Sequence, residues 1–225
     1  MELKYIAYLI LFYTGLAIVL CVYLFLFFMD LYRRGTWFSL QKKSNAPKVP
    51  PVTPPVDLNQ PNMFGQTPLM GLVQHAKSVD MVERVLEKSD VNVADENGFT
   101  ALMKAAEFNT NAAIMAALVS SGADVFATEY QKKRTALHIA ACGNTNPDVI
   151  RVLLAAGSDV NAVDGKGKTP LMRAAQHNPN PAVINVLLEA GADKTLRSMS
   201  GKTAFDYAHE NEEIYKTQSY YNLEV

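Results

Sequence analysis

Apolar positions along this chain follow two unlike patterns. Between Tyr5 and Met29 no residue carries a charge, an unbroken run of 25. After a proline-rich gap the apolar residues return as short stripes at helical spacing, and the stripes recur. Val183, Ile184, Val186, Leu187 and Leu188 form one, Val149, Ile150, Val152, Leu153 and Leu154 another, and Ile114, Met115 and Leu118 a third. Such spacing puts one face of an amphipathic helix against a core. Ahead of the first of these stripes stand Leu171, Ala174 and Ala175, whose small side chains let neighbouring helices approach closely. The pattern predicts two short helices per unit.

The punctuation is as regular as the stripes. Gly65-Gln66-Thr67-Pro68-Leu69-Met70 returns as Gly98-Phe99-Thr100-Ala101-Leu102-Met103, Arg134-Thr135-Ala136-Leu137-His138, Gly167-Lys168-Thr169-Pro170-Leu171-Met172 and Gly201-Lys202-Thr203-Ala204-Phe205. The threonines are separated by 33, 35, 34 and 34 residues. A period of that length means stacked supersecondary units, none able to bury its own stripe alone. Thr169 caps the first helix of its unit, with Pro170 in the first turn where a missing N–H is harmless. Asn178-Pro179-Asn180-Pro181 breaks the chain, and Asn180 caps the second helix. Gly191 ends that helix in a left-handed conformation, and the chain then makes an extended excursion to the next unit. A further landmark precedes each return: Ser89-Asp90-Val91-Asn92, Gly122-Ala123-Asp124-Val125, Gly157-Ser158-Asp159-Val160-Asn161 and Gly191-Ala192-Asp193.

On these motifs the chain resembles the ankyrin-repeat family over roughly residues 57–212. The resemblance implies an all-α fold: an ankyrin-repeat solenoid of about five helix-turn-helix units with connecting β-hairpin loops, preceded here by one amino-terminal transmembrane helix. The expected organisation is an anchor at 1–30, a basic juxtamembrane segment and proline-rich linker at 31–56, repeats at 57–218, and a carboxyl-terminal tail at 219–225. The units fall at about 57–89, 90–122, 123–157, 158–191 and 192–218. Family units usually carry Gly-His between their helices. Asn144-Thr145-Asn146-Pro147 and Asn178-Pro179-Asn180-Pro181 stand here instead, a variant associated with bacterial ankyrin proteins. The first unit has Leu72 and Val73 for the usual paired alanines and is one residue shorter. Lys132-Lys133-Arg134 replaces the glycine before Thr135, so that hairpin is expected to be distorted. The last unit lacks a full apolar second helix.

Charge divides the chain further. Residues 31–56 carry Arg33, Arg34, Lys42, Lys43 and Lys48 with no acid, and the region from Asp57 onward is net negative. An acidic repeat region argues against nucleic acid as partner. The 25-residue run would span about 37 Å as a helix, enough for a hydrocarbon core of roughly 30 Å. Tyr5 and Tyr8 at one end and Tyr32 and Trp37 at the other suit the two interfaces, and no small-x-small cleavage site follows the run. Arg33, Arg34, Lys42 and Lys43 on the second flank place the repeats in the cytoplasm, with the amino terminus outside. A periplasmic-facing arrangement, supporting an envelope or stress-defence enzyme, is the alternative. Ten residues, 46–55, half of them proline, read as a semi-rigid spacer of about 30 Å.

Candidate chemistry does not assemble. An enzyme needs a nucleophile, a base and a stabiliser converging on one pocket. His138 occupies the family's structural histidine position, and His75 and His177 sit three units apart, too far to share a metal. His209 lies among Glu210, Glu212 and Glu213 on a solvated face, and Cys142 reads as a small helix residue. Gly165-Lys166-Gly167-Lys168-Thr169 lacks the glycine spacing of a phosphate loop. The sequence therefore predicts no catalytic residue, cofactor or metal, and no small-molecule substrate. The partner is another protein, and the resemblance implies that it is held by hairpin tips and exposed first-helix positions. The tips lie near Asp95-Glu96-Asn97, Glu129-Tyr130-Gln131-Lys132, Asp164-Gly165-Lys166 and Ser198-Met199-Ser200. Lys104, Glu107, Phe108, Tyr130, Lys132, Ile139, Lys166, Arg173, Gln176, His177 and Tyr207 are the expected partner-binding residues, the first-helix members among them placed on the exposed face.

Overall fold

The computed structural model describes residues 59–224, and the apolar run, basic flank and proline-rich spacer lie outside the described residues. Among the described residues no helix is long and apolar enough to cross a membrane. The helices fall where the stripes predict them. Unit one has α1 (Pro68–His75) and α2 (Val79–Leu86), and unit two has α3 (Ala101–Phe108) and α4 (Ala112–Ser120). Units three and four follow with α5 (Ala136–Gly143), α6 (Pro147–Ala155), α7 (Pro170–His177) and α8 (Pro181–Glu189). Unit five holds α9 (Ala204–Ala208) and α10 (Gln218–Asn222).

Sequence sets each boundary. The side chains of Thr67, Thr100, Thr135, Thr169 and Thr203 accept a backbone N–H three residues on, at the start of each first helix. Asn111, Asn146 and Asn180 cap the second helices, with Pro147 and Pro181 at the first turn. The shorter first unit loses its residue from α2, which has eight residues where α4, α6 and α8 have nine. First helices pack on first helices and second on second along the stack. Ala105, Ala106, Ala140, Ala141, Ala174 and Ala175 are fully buried at the first-helix contacts, while Ile114, Leu118, Val149, Leu153, Val183 and Leu187 fill the layer between the two rows.

From the second unit on, an asparagine stands between the two helices, and these asparagines form a ladder along the stack. Asn109 Nδ2 donates to Val73 O and Ala76 O, and Asn144 Nδ2 to Ala106 O and Asn109 O. Asn178 Nδ2 reaches Ala141 O at 2.9 Å and Asn144 O at 3.0 Å, and Asn211 Nδ2 reaches Ala175 O and Asn178 O. The last carbonyls of a helix have no partner within it. Here one of them, together with the carbonyl of the capping residue, is met by an amide from the next unit, so the rung joins units while helping to complete a helix end. A second, exposed set runs beside it, from Asn111 to Lys77 O, Asn146 to Thr110 O and Asn180 to Thr145 O.

Among the described residues the connecting hairpins are formed without regular strands: they contain turns and a single isolated bridge, Ala94 to Thr100. The carboxyl-terminal boundary also moves. Residues 219–224 are not a loose tail: α10 runs across the expected limit at 218 and buries Tyr220 and Leu223. Tyr220 stacks within 4.7 Å of Phe205, and its hydroxyl lies 3.2 Å from His209 Nδ1. One aromatic lid thus does for the last unit what a neighbouring unit's stripe does for the others. His209 and Glu210 are exposed, as expected, with Glu210 paired to Lys202 at 2.6 Å.

Candidate functional site

The first four hairpin tips are each wound around one polar side chain that accepts backbone N–H groups. Asp95 Oδ1 accepts the N–H groups of Asn97 and Phe99, Asp164 Oδ1 those of Lys166 and Lys168, and Asn62 Oδ1 those of Phe64 and Gln66. Unit three puts Glu129 in this place. Its tip is one residue longer, the backbone closing from Glu129 N to Arg134 O where unit two closes from Asp95 N to Phe99 O. The extra methylene of glutamate lets its two oxygens reach Gln131 N and Lys132 N, both at 2.8 Å. Lys133 takes the left-handed backbone, φ 55, that glycine takes elsewhere. The distortion expected at Lys132-Lys133-Arg134 is therefore a one-residue enlargement that keeps the turn's hydrogen bonds.

The tips are also bonded to one another. Tyr130 N donates to Asn97 O at 2.9 Å, Gly165 N to Lys132 O at 2.7 Å, and Met199 N to Lys166 O at 3.1 Å. Units two to five therefore present a continuous row in which Tyr130, Lys132, Lys166 and Met199 stand on backbone that is itself hydrogen-bonded. Gly98 makes the packing of Tyr130 possible. It has φ +83, and an added Cβ would lie 2.7 Å from the Tyr130 ring. Gly98→Ala is expected to lower stability by about 1–2 kcal/mol through left-handed strain alone, and to displace Tyr130. Thermal unfolding and the change in tyrosine fluorescence measure the two effects separately.

Behind the row, the carboxylates that wind the tips are neutralised from the first helices and hairpins. Lys104 Nζ lies 3.3 Å from Asp95, and Arg134 Nε 3.2 Å from Glu129. Arg173 Nε donates to Asp164 Oδ2 at 2.7 Å and Nη2 donates to the same oxygen. Burial works against ionisation of Asp164, but the Lys168 N–H, the Arg173 side chain and the Lys166 N–H outweigh it and hold the carboxyl below its ordinary value. Glu129 is lowered in the same way, burial being opposed by Lys132, Arg134 and Gln131.

Three of the residues expected on the exposed face are buried. Ile139 is 3% exposed, Tyr207 4% and Arg173 8%. Each is the fourth residue after its capping threonine, and that position projects beneath the unit's own hairpin rather than into solvent. Tyr207 there receives hydrogen-bond contacts from Ser198 and Ser200, with Lys168 Nζ 4.0 Å above its ring. Lys104, at the same position, is half-buried with its ammonium 4.2 Å over the Phe99 ring. Gln176 is half-buried and accepts from Lys168 Nζ. Glu107, Phe108, Tyr130, Lys132, Lys166 and His177 are exposed. Residues seven and eight after the threonine lie on the same face one turn further along the first helix, farther from the hairpin, which explains the difference. Sequence reading passed over the first tip, where Met63 and Phe64 are exposed; the phase of Gly65-Gln66-Thr67 was the signal that places them there. It also passed over Lys133, exposed at the centre of the row.

Two further titratable groups lie on α5, buried His138 and half-buried Cys142. His138 closes a capping box with Thr135: Nδ1 accepts Thr135 N–H, leaving Nε2 to donate to Lys168 O at 3.1 Å in the next unit. Burial lowers its pKa, opposed by the nearby Asp164 charge and assisted by Arg173. A histidine whose folded pKa lies below its unfolded value of 6.5 contributes stability that is whole above 6.5 and is lost as pH falls toward the folded value. Protonation would put a second donor against Thr135 N–H. The melting temperature is accordingly expected to fall as pH drops below 6.5, and His138→Gln to flatten that part of the profile. A profile unchanged by the substitution would place the titration elsewhere. Burial pushes the Cys142 thiol up, away from reactive thiolate character. Among the described residues no group of three or more His, Cys, Asp and Glu is placed to hold a metal.

A protein-family model described as ankyrin repeats (3 copies) matches residues 45–129, 114–198 and 137–217. A search of curated proteins finds no match to the chain.

Proposed function

The chain belongs to the ankyrin-repeat family, and from the exposed chemistry of its tip row we propose that it is a membrane-tethered module that binds or regulates one partner protein. Ankyrin repeats generally mediate protein–protein interaction, through the extended surface their stacking creates. The observation that carries the reading is the hydrogen-bonded row of tips. It displays Tyr130 and Met199 beside Lys132, Lys133 and Lys166, with Phe108 on the adjoining helix face, and none of these three lysines pairs with a carboxylate among the described residues. Aromatic groups held on rigid backbone are the usual anchors of an interface.

The tether rests on the uncharged run from Tyr5 to Met29 and the basic flank after it. In the proposed orientation the repeats face the cytoplasm and hold the partner at the inner membrane face. Affinity capture of the full-length protein from gently solubilised native membranes tests the binding function, with Phe108→Ala/Tyr130→Ala/Lys132→Ala as the control. The substituted protein is expected to lose a near-stoichiometric partner, with at least about 2 kcal/mol of binding removed. Undiminished recovery by a folded triple variant would overturn the assigned face. A reporter fused after Val225 tests topology. Extracytoplasmic activity would reverse the orientation and favour a periplasmic-facing protein that supports an envelope or stress-defence enzyme.

A further inference from the structure

The opposite side of the first two units carries an open groove. It runs between α2 and α4, encloses about 610 Å³, and no tip or first-helix residue lines it. Val79, Leu86, Ala113 and Ala117 make its floor, and Glu83 and Glu87 stand along one side. The groove exists because of α4, whose sequence Ala-Ala-Ile-Met-Ala-Ala-Leu-Val-Ser is apolar on every face. A helix of that kind is normally covered all round. Here Ala113 and Ala116 are exposed, and nothing long or charged reaches across from them to α2. Farther along the stack the outer helices bear charges that do reach across. Arg151 of α6 lies 3.5 Å from Asp148 on its own helix and 3.8 Å from Glu189 on α8.

Charge identifies the occupant. Glu83 on α2 and Glu87 at its carboxyl-terminal cap are one turn apart, exposed, and neither forms an ion pair among the described residues. Like charges at that spacing destabilise a helix by about 0.2–0.5 kcal/mol. A cation supplied from outside would turn the repulsion into attraction. The acidic side also repels anionic lipid and nucleic acid, and the alanine floor leaves room for branched apolar side chains at close helix–helix distance. We propose that this groove is a second docking site, and that it takes an amphipathic helix of a partner protein whose leucine or isoleucine stripe is flanked by lysine or arginine. The mode is helix-in-groove recognition, with anchors at i, i+3 or i+4, and i+7.

The site does not depend on the tip row, so the two readings fail separately. A display library of short amphipathic helices, with a fixed leucine stripe and flanking positions offered as lysine or glutamate, would be selected on the full-length chain. Lysine-flanked helices are expected to be enriched and to bind the Tyr130→Ala variant unchanged. Ala116→Arg, which places a long cation over the floor, is expected to weaken them at least about tenfold, as removal of an interface hot spot does. Glu83→Lys/Glu87→Lys is expected to reverse the preference to glutamate flanks. These positions are exposed, so both variants should keep the parent melting temperature. Three results would overturn the proposal: no helix enriched, enriched helices that bind Ala116→Arg as tightly as the parent, or no preference between flanks. Self-association of the parent that Ala116→Arg abolishes would also overturn it, by making a second copy the occupant.

Discussion

Replacing Asn178 with alanine is expected to lower the melting temperature of the repeats by about 10 °C. Asn178 is fully buried, and its amide donates to Ala141 O and Asn144 O while Oδ1 accepts Asn180 N–H at 2.8 Å. Alanine removes all three bonds and leaves two buried carbonyls facing a void. Each buried group left unpaired costs about 1–3 kcal/mol, so the total should reach about 3 kcal/mol, and a chain of this size loses roughly 2–4 °C per kcal/mol. The loss falls at the joint between units three and four. In a stack whose units touch only neighbours, hydrogen exchange should therefore accelerate first around α5 to α8. Asn180→Ala supplies the contrast, because its bond to Thr145 O is exposed and its cap contributes about 1 kcal/mol. Equal shifts for the two substitutions would mean that the buried ladder is not what joins the units.

The second large effect concerns a residue that sequence reading assigned to the partner. Arg173→Ala is expected to destabilise the fold by about 3 kcal/mol or more, the usual consequence of removing one member of a buried ion pair. Asp164, with its side chain wholly buried, would keep the backbone N–H groups of Lys166 and Lys168 but lose the cation that meets its other oxygen. Since ionisation of Asp164 is favoured in the fold, its contribution is present above the ordinary carboxylate pKa and is lost as pH falls through the lowered folded value. Acid unfolding of the parent should include this step, and the Arg173→Ala variant should show less of it. Chemical denaturation across acid pH measures both. A variant with parent stability and weakened partner binding would return Arg173 to the interface. Phe108→Ala, by contrast, alters an exposed ring and should leave stability within about 0.5 kcal/mol.

Arg173 shows where sequence reading stops. Its chemistry, a guanidinium on the first helix of a repeat, suits an interface anchor and a buried pair equally. Only the fold says that the fourth residue after the capping threonine points under the hairpin, and there the same position becomes Lys104, Ile139, Arg173 or Tyr207 as each tip requires. Glu129 is a similar case. A glutamate in place of aspartate carries no meaning until the longer turn it spans is seen.

What the sequence determined by itself was everything set by local physics and by the period. Thr169, Pro170, Asn180, Pro181 and Gly191 act on backbone within a few residues of themselves, so the helices and their ends could be placed from the chain alone. The recurrence of those signals then settled that the units stack. What only the tertiary structure decided was each contact made across about 30 or more residues. The asparagines between helices read as departures from the family pattern, and they proved to be the rungs that bind one unit to the next, with donor and acceptor 33 to 38 residues apart. The continuous tip row and the open groove behind α4 followed from the same cause, whereas the buried ion pairs join residues of one unit, 5 or 9 apart, and were decided by how the first helix packs beneath its own hairpin. A side chain's type fixes what it can bond to, but its partner is chosen by how the units sit on one another.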